Sequence, residues 1–416
     1  MSQKPRYLSK SRFKIGCECP TKLFYTGKPE YGNTQLNHSF LEALAEGGFQ
    51  VGALAQADHE GGIEITELEI SKAIETTSKL LERENVTLFE PAICLGDLLV
   101  RVDVLVKRGN SIDLIEVKAK SFDPSEENPF YNKTALKKGI RRFTSEWEPY
   151  LLDIAFQKYV VQNAFPNWKV SAFLMLADQT AKSSVDGLNQ RFFLAKDEKS
   201  RTRVITRPGT QASDLGAPLL IKIGVDQEIE VAHSATYEHR SFREHVEYLA
   251  RTYKEDQMAP PLIGSQCKGC EFRIGPKEKS QGLKSGFELC WKEAAQIEPS
   301  DLTRPLVFDI WNFRHSQDLM DGRRYFMDQV TESDISPAPR KEGQGLSSSE
   351  RQWLQVTKVQ SQDQAPFLDR DGLASEMKNW IYPLHFIDFE TTMVAIPFLD
   401  VLPALKGQAA CAGGFP

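Results

Sequence analysis

The chain has 416 residues, of which 41% are hydrophobic and 26% are charged, and its formal net charge at pH 7 is −6. This composition excludes wholesale disorder and a histone-like protein, and no apolar run reaches the length of about 18 residues that a membrane span requires. Seven cysteines are too few for a disulfide scaffold. We therefore expect a cytoplasmic protein of two or three domains without a membrane partner, in which any nucleic acid binds a local basic patch.

The N-terminal third combines helical and strand patterns. Residues 36–57 and 63–84 have the apolar spacing of helices, and residues 87–90 give a short strand signal. Residues 98–107 and 111–119 alternate between apolar and polar side chains, and an Arg-Gly-Asn turn separates them. This arrangement predicts a β-hairpin.

Helices and one buried strand are predicted for the middle of the chain. Residues 135–143, 150–163 and 241–255 have helical spacing, whereas residues 170–177 are apolar throughout, as in a buried strand. A Pro-Pro pair then interrupts the chain before a cluster of cysteines. The order of these elements predicts an α/β fold in which helices surround a mixed sheet, with a second piece appended.

Three charged side chains interrupt the predicted hairpin. Asp103 lies in its first strand, and Glu116 and Lys118 lie in its second, on the same face because side chains alternate along a strand. Carboxylate oxygens suit Mg²⁺ or Mn²⁺, which can orient a water and offset charge at phosphorus, and Lys118 can stabilise the transition state. The alternative is an amphipathic hairpin whose charged face lies in water.

The spacing of Asp103 and Glu116-x-Lys118 resembles that of the PD-(D/E)XK nucleases, and the chain is similar to their RecB-like branch. The resemblance implies a restriction-endonuclease-like mixed sheet flanked by helices. It also implies that Asp103 and Glu116 bind the metal and that Lys118 is catalytic. Gln157 falls where the family carries a catalytic Gln on the next helix, and Glu90 matches an acidic residue that often precedes the first catalytic strand, as a further metal ligand.

Two features depart from the pattern of that family. Where many relatives have a His on an early helix as an extra metal ligand, this chain has Gly52, and His38 and His59 lie out of register. Tyr159 follows Gln157 by two residues, whereas the family spacing is four. The missing His supports an alternative interpretation, a non-catalytic module that binds nucleic acid or assembles with other proteins.

Four cysteines are candidates for a metal site. Cys267, Cys270 and Cys290 supply three thiolates, and Cys19, in the string CPTKLFY, is the best candidate for the fourth, with Cys17 as its substitute. This layout resembles that of the iron–sulfur nucleases of the RecB-like branch, which implies a structural [4Fe–4S] cluster held by Cys19, Cys267, Cys270 and Cys290. Zinc and free buried thiols are the alternatives, although four-cysteine zinc sites usually show two Cys-x-x-Cys pairs.

A basic stripe is predicted on the helix over residues 135–143. Lys137, Lys138, Arg141 and Arg142 are spaced so that two pairs lie four residues apart. Such a stripe can follow a phosphate backbone, and the alternative is an ordinary solvated face.

Near the C-terminus, the string YPLHFIDFET resembles the bacterial family called domain of unknown function 2779, which is commonly found behind a RecB-like core. Asp388 and Glu390 are predicted to share a face of a strand that includes residues 385–389, and Asp-x-Glu is the opening motif of the RNase H-like DEDD exonucleases. The sequence after Phe398 resembles neither the domain of unknown function 2779 nor the end of a complete domain. We expect a truncated or frame-shifted start of such a domain, with an inactive site.

The sequence thus predicts three segments: a RecB-like nuclease domain with its cysteine cluster over residues 1–295, a helical or linker region over residues 296–380, and the truncated piece over residues 381–416. The leading hypothesis is a nuclease that depends on Mg²⁺ or Mn²⁺ and cleaves DNA. The family implies exonucleolytic action on single-stranded ends.

Overall fold

In a computed structural model of the chain, the described residues are 5–36, 39–196, 202–340, 345–386, 388, 390–392, 396 and 408–410. The chain divides into two compact units, the first made of residues 1–17, 37–257 and 389–416 and the second of residues 18–36 and 258–388. The boundaries of these units differ from the predicted boundaries after residues 295 and 380. Phe287 and Trp291, on the N-terminal side of the first predicted boundary, share one hydrophobic core with residues of the predicted segment 296–380.

The strands of the described residues are, in chain order, β1 (Leu8–Ser9), β2 (Ile63–Glu64), β3 (Asn85–Phe89), β4 (Ala92–Leu95), β5 (Leu98–Arg101), β6 (Val104–Arg108), β7 (Ser111–Phe122), β8 (Lys169–Asp178), β9 (Phe192–Lys196), β10 (Thr202–Thr206), β11 (Leu220–Gly224), β12 (Thr236–Tyr237), β13 (Arg240–Ser241), β14 (Glu390–Thr392) and β15 (Gln408–Ala410).

The helices are α1 (Lys10–Glu18), α2 (Lys22–Tyr25), α3 (Ser39–Ala57), α4 (Ile70–Leu81), α5 (Lys133–Leu136), α6 (Glu148–Ala164), α7 (Asp226–Ser234), α8 (Phe242–Lys254), α9 (Pro276–Ser280), α10 (Gly286–Ala295), α11 (Ser316–Asp321), α12 (Glu332–Ile335), α13 (Ser348–Gln360) and α14 (Arg370–Lys378). The predicted helices over residues 36–57, 150–163 and 241–255 are confirmed as α3, α6 and α8. Among the described residues, no helix has the length and apolar character needed to cross a bilayer.

The first unit is built around a six-stranded sheet with the strand order β11-β8-β7-β6-β3-β2, in which β7 runs parallel to β8 and antiparallel to β6. Alternate side chains of β7 point to opposite faces of the sheet. Ile115 and Val117 pack with Ala55 of α3, whereas Glu116 reaches Gln157 of α6. Helices therefore cover both faces, and the predicted α/β class with a mixed sheet flanked by helices is confirmed.

The predicted hairpin is confirmed as β6 and β7. Its register pairs Val104 with Ile115 and Arg108 with Ser111, which leaves a two-residue loop. Gly109 begins that loop with a φ of 57°. This left-handed conformation is accessible to glycine without the steric cost that a side chain would add.

The single strand predicted over residues 98–107 is wrong, because the structure has two strands there in two different sheets. β5 pairs with β1 and β4, whereas β6 belongs to the six-stranded sheet. Asp103 lies between them, and its carboxylate accepts the backbone N–H of Val117 at 2.8 Å. A side-chain oxygen has thus taken the place of a backbone partner, and the chain leaves one sheet for the other at this residue.

Two predicted helices are shorter than the sequence pattern indicates. The pattern over residues 63–84 is helical only in α4, because its first residues form β2. The pattern over residues 135–143 is helical only as far as Leu136, and Gly139 then has a φ of 74°, which does not continue a right-handed helix. The basic residues that follow lie outside any helix, so the predicted basic stripe is not formed.

The second unit has a hydrophobic core of its own. Trp291 on α10 is completely buried, and its ring packs against the rings of Phe287, Phe308 and Tyr325. Val356 on α13 is also completely buried in this core. Much of the segment predicted as a helical or linker region therefore belongs to a packed unit.

The strand predicted over residues 385–389 is not formed by its described members, which include Asp388 and adopt no regular structure. Ile387 and Phe389 lie outside the described residues. A strand begins only with Glu390, where β14 pairs antiparallel with β15. Asp388 therefore has no place in that ladder, and the predicted sharing of one strand by the two acidic residues is wrong.

Candidate active site and cysteine cavity

Four segments of the first unit meet around one group of charged and polar side chains. These segments are the start of α1, the link between β5 and β6, the middle of β7, and α6. The group consists of Lys10, Asp103, Glu116, Lys118, Asp153 and Gln157. The predicted catalytic residues are therefore brought together, with two neighbours that the sequence pattern did not single out for the site.

Asp103 and Glu116 face each other where the hairpin begins. The β6–β7 register ends with Val104 opposite Ile115, and Asp103 and Glu116 are the next residues beyond that pair. Their carboxylates are close enough for one ammonium to lie 3.0 Å from both. The hydrogen bond from the Val117 backbone orients the Asp103 carboxylate. The Glu116 side chain is completely buried, whereas that of Asp103 is 22% exposed. This burial argues against the alternative of a charged face in water, and solvent reaches the pair from the Asp103 side.

Lys118 and two residues of α6 surround Glu116. The Lys118 ammonium donates to Glu116 Oε1 and, at 3.0 Å, to Asp153 Oδ2. Gln157 Nε2 donates to Glu116 Oε2 at 2.7 Å and to Asp153 Oδ1 at 3.3 Å. Because Asp153 and Gln157 are one helical turn apart, they lie on the same side of α6. Gln157 therefore bonds to Glu116 itself, and Asp153 bonds to the ammonium of Lys118.

Lys10 completes the group from the N-terminal segment. Its Nζ lies 3.0 Å from Asp103 Oδ1 and 3.0 Å from each carboxylate oxygen of Glu116. One ammonium therefore bridges the two carboxylates. In the sequence, Lys10 is one of five basic residues among the first 14 positions. Nothing else signals this contact, which joins positions 93 and 106 residues apart.

Burial and neighbouring charges shift the pKa values of the two carboxylates in opposite directions. Burial would raise the pKa of Glu116, but the ammonium groups of Lys10 and Lys118 outweigh it and hold this pKa below its usual range. Burial and the adjacent Glu116 raise the pKa of Asp103 above its usual value, against the pull of Lys10. Glu116 is therefore the more firmly ionised of the two.

The two lysines and Asp153 respond to the same cluster of charges. Burial lowers the pKa of Lys10 and of Lys118, but the surrounding carboxylates outweigh it and raise both values. Burial, followed by the charge of Glu116, raises the pKa of Asp153. The site thus holds two firmly charged ammonium groups among carboxylates that compete for them.

Glu90 lies at the edge of this group. It follows β3 with a φ of 54°, and its backbone N–H donates to the carbonyl oxygen of Asp103 at 3.3 Å. Burial raises the pKa of its carboxyl group, and the charges of Lys10 and Arg101 oppose that shift. A non-glycine residue in the left-handed region is held there by its surroundings at some cost in energy. The carboxyl group of Glu90 is a third acidic group near enough to Lys10 for their charges to interact.

The oxygen donors of Asp103 and Glu116 fit a divalent cation, because Mg²⁺ is commonly bound by one or two carboxylates with water and phosphate oxygens completing its shell. The buried Oε1 of Gln157 has no hydrogen-bond partner among the described residues, so one polar atom remains for a water or an ion in the site. Among all the residues that the structure describes, no group of three or more His, Cys, Asp or Glu side chains is arranged so that it could hold a metal ion.

In the second unit, Cys19, Cys267, Cys270 and Cys290 line one small cavity. Cys267 lies on a 3₁₀ turn, Cys290 lies on α10, and Cys19 follows directly after α1. The cavity measures about 20 Å³, which is room for one water molecule. A four-iron cluster would therefore require these side chains to move apart. Four sulfur donors suit either such a cluster or a single thiophilic ion.

Burial in the cavity favours the protonated form of the Cys270 and Cys290 thiols. Burial raises the pKa of Cys270 to about 12 and that of Cys290 to about 11. Lys22, which also lines the cavity and pairs with Glu271 at 2.7 Å, opposes the shift at Cys270. The hydroxyl of Tyr25 lies 3.3 Å from Cys290 Sγ. Uptake of a metal would release the thiol protons, since thiolates are the ligands.

No protein-family model matches the sequence, and no curated protein matches it.

Proposed function

We propose that the first unit is a metal-dependent nuclease of restriction-endonuclease-like fold that hydrolyses phosphodiester bonds in DNA. The observation that carries the proposal is the pair of opposed carboxylates, Asp103 and Glu116, with Lys118 bonded to the second. It is the constellation on which the resemblance to RecB-like PD-(D/E)XK nucleases rests. The mixed sheet with α6 across one face supports the same assignment.

Each residue of the group has a role in this proposal. Asp103 and Glu116 would hold Mg²⁺ or Mn²⁺, which supplies an activated water and offsets charge at the phosphate. Gln157 keeps Glu116 in place through its hydrogen bond. Lys118 stays an ammonium at neutral pH, and its charge would stabilise the anionic oxygens that develop at phosphorus.

Cleavage of end-labelled single-stranded DNA with Mg²⁺ or Mn²⁺ tests the proposal. Asp103→Asn keeps an acceptor for the Val117 N–H but removes the charge, so we expect a folded protein with cleavage at background. Asp113→Asn is the matched control, because Asp113 also lies on the hairpin but pairs with Lys222 at 2.7 Å outside the site. Equal cleavage by both variants would contradict the proposal.

The second candidate function is a non-catalytic module that binds nucleic acid or other proteins. The observation that favours it is the ammonium of Lys10, which already pairs with both carboxylates. DNA binding without cleavage under either metal ion, in wild type and Asp103→Asn alike, would support this function over the nuclease.

For the second unit we propose a structural [4Fe–4S] cluster held by Cys19, Cys267, Cys270 and Cys290. The shared cavity and the layout of the cysteines support it, while the small volume of the cavity favours a single zinc ion as the alternative. Anaerobic purification, followed by visible absorption and analysis of iron, sulfide and zinc, separates the two.

A further inference from the structure

Lys10 is held in position by the residues on both sides of it. Leu8 is completely buried and pairs with Leu98 in the short ladder between β1 and β5. Phe13 is also completely buried, and its ring stacks on Phe156 of α6 with the ring centroids 4.5 Å apart. Because Leu8 and Phe13 are both buried, the backbone of Lys10 between them is held in place. Its side chain therefore contacts the carboxylates from a fixed point of the fold, unlike that of an ordinary surface lysine.

The donors of Lys10 match the oxygens that face it. An ammonium has three N–H donors, and three carboxylate oxygens of Asp103 and Glu116 lie 3.0 Å from Nζ. In the proposed function the same oxygens bind the divalent cation. Two cations a few ångströms apart repel each other strongly, so a bound ion requires the ammonium to withdraw. The side chain is 25% exposed, and its flexible stem gives it a path to solvent.

We infer that Lys10 is a built-in counter-ion that competes with the divalent cation for Asp103 and Glu116, an inference that rests on the proposed function. Without metal, the ammonium relieves the repulsion between the two carboxylates. Binding of the ion displaces it, so the apparent metal affinity is reduced by the fraction of molecules in which Lys10 occupies the site.

Binding of Mn²⁺ to the full chain, followed through the electron paramagnetic resonance signal of the free ion, tests the inference. Lys10→Met removes the charge and keeps the length, and Lys14→Met removes the same charge from an exposed position on α1. We expect Lys10→Met to bind Mn²⁺ about tenfold more tightly than wild type. Lys14→Met should stay within about twofold, because an exposed charge is screened by salt.

The two proposals fail in different ways in this experiment. If wild type binds Mn²⁺ and Lys10→Met binds it no more tightly, the inference is overturned and the nuclease proposal stands. If neither protein binds Mn²⁺, both are overturned.

A second measurement needs no variant and decides the question if Lys10→Met does not fold. Acetylation of wild type by N-hydroxysuccinimidyl acetate, read residue by residue by mass spectrometry, should modify Lys10 faster once Mn²⁺ is bound. The rate at Lys14 is the internal control and should not change. Equal protection of Lys10 with and without saturating Mn²⁺ would overturn the inference.

Discussion

Gln157 donates a 2.7 Å hydrogen bond to Glu116 at a position where both side chains are completely buried. Removing one partner of a buried hydrogen bond leaves the other unsatisfied and costs about 1–3 kcal/mol. Gln157→Leu is therefore expected to lower the free energy of unfolding by about 2 kcal/mol. It should also reduce cleavage per folded molecule, because Glu116 loses a group that orients it. Urea unfolding and the cleavage assay measure the two effects.

Gln162→Leu is the control for that substitution. Gln162 lies on the same helix, and its amide donates to the carbonyl oxygen of Trp168 at 2.8 Å, away from the site. This variant should lose stability and keep its cleavage rate. If both variants cleave equally well, the orienting role of Gln157 is wrong.

Lys118 is expected to act on the reacting phosphate and not on the metal. Lys118→Met removes the ammonium that bonds to Glu116 and Asp153, so cleavage should fall to background while Mn²⁺ binding is kept. Breaking a buried ion pair costs about 3–5 kcal/mol. Because Lys118 is partly exposed, we expect the variant to lose about 3 kcal/mol of stability or less. Loss of Mn²⁺ binding together with cleavage would assign Lys118 a structural role instead.

Asp103 should make the stability of the metal-free protein depend on pH. Its pKa is raised in the fold by burial and by Glu116 from an ordinary value of 3.8. The folded chain therefore retains a proton that the unfolded chain releases, so this contribution to stability is present below pH 3.8 and is lost as the pH rises through the raised pKa. Urea unfolding of wild type and Asp103→Asn from pH 4 to pH 8 measures the effect. The free energy of unfolding of the variant should rise relative to that of wild type as the pH rises. A difference between the two proteins that does not change with pH would contradict the raised pKa of Asp103.

The four-cysteine centre should contribute to the stability of the second unit. Cys270→Ser replaces a sulfur donor of the cavity, and we expect metal content to fall and the thermal unfolding temperature to drop with it. Cys94→Ser is the control, because Cys94 lies on β4 and its Sγ donates to the carbonyl oxygen of Gly96. Equal metal content in both variants would show that Cys270 binds no metal.

Tyr25 should tune the redox properties of a bound cluster. Its hydroxyl lies 3.3 Å from Cys290 Sγ, and hydrogen bonds to cysteine sulfurs help set the reduction potential of iron–sulfur clusters. We expect Tyr25→Phe to make the potential more negative, because the reduced cluster carries more negative charge. Tyr31→Phe, on the neighbouring ring, should leave it unchanged. A centre without redox activity would contradict both the cluster and this role.

The elements with a regular pattern could be predicted from the sequence. The β6–β7 hairpin and α6 follow from alternation and helical spacing, and together they bring Glu116, Lys118 and Gln157 to one place. The strand before Asp103 could not be predicted correctly, because a side-chain hydrogen bond to Val117 replaces a backbone pairing there. Hydrophobic periodicity does not reveal where a side chain replaces a backbone hydrogen-bond partner.

Contacts between distant segments account for what the sequence missed at the site. Lys10 meets Glu116 through a ladder between β1 and β5 that is two residues long, too short to be recognised from its pattern. Asp153 could be placed one turn before Gln157, but its bond to Lys118 depends on how α6 packs on the sheet. The four cysteines that the resemblance to iron–sulfur nucleases implies as ligands line one cavity.

The proposed function requires that Asp103 and Glu116 together bind a divalent cation. A crystal of the protein equilibrated with Mn²⁺ can reveal that ion through its anomalous scattering. We expect one strong peak between the two carboxylates, with the ammonium of Lys10 withdrawn from both. No peak at saturating Mn²⁺, with Lys10 still bridging Asp103 and Glu116, would contradict it.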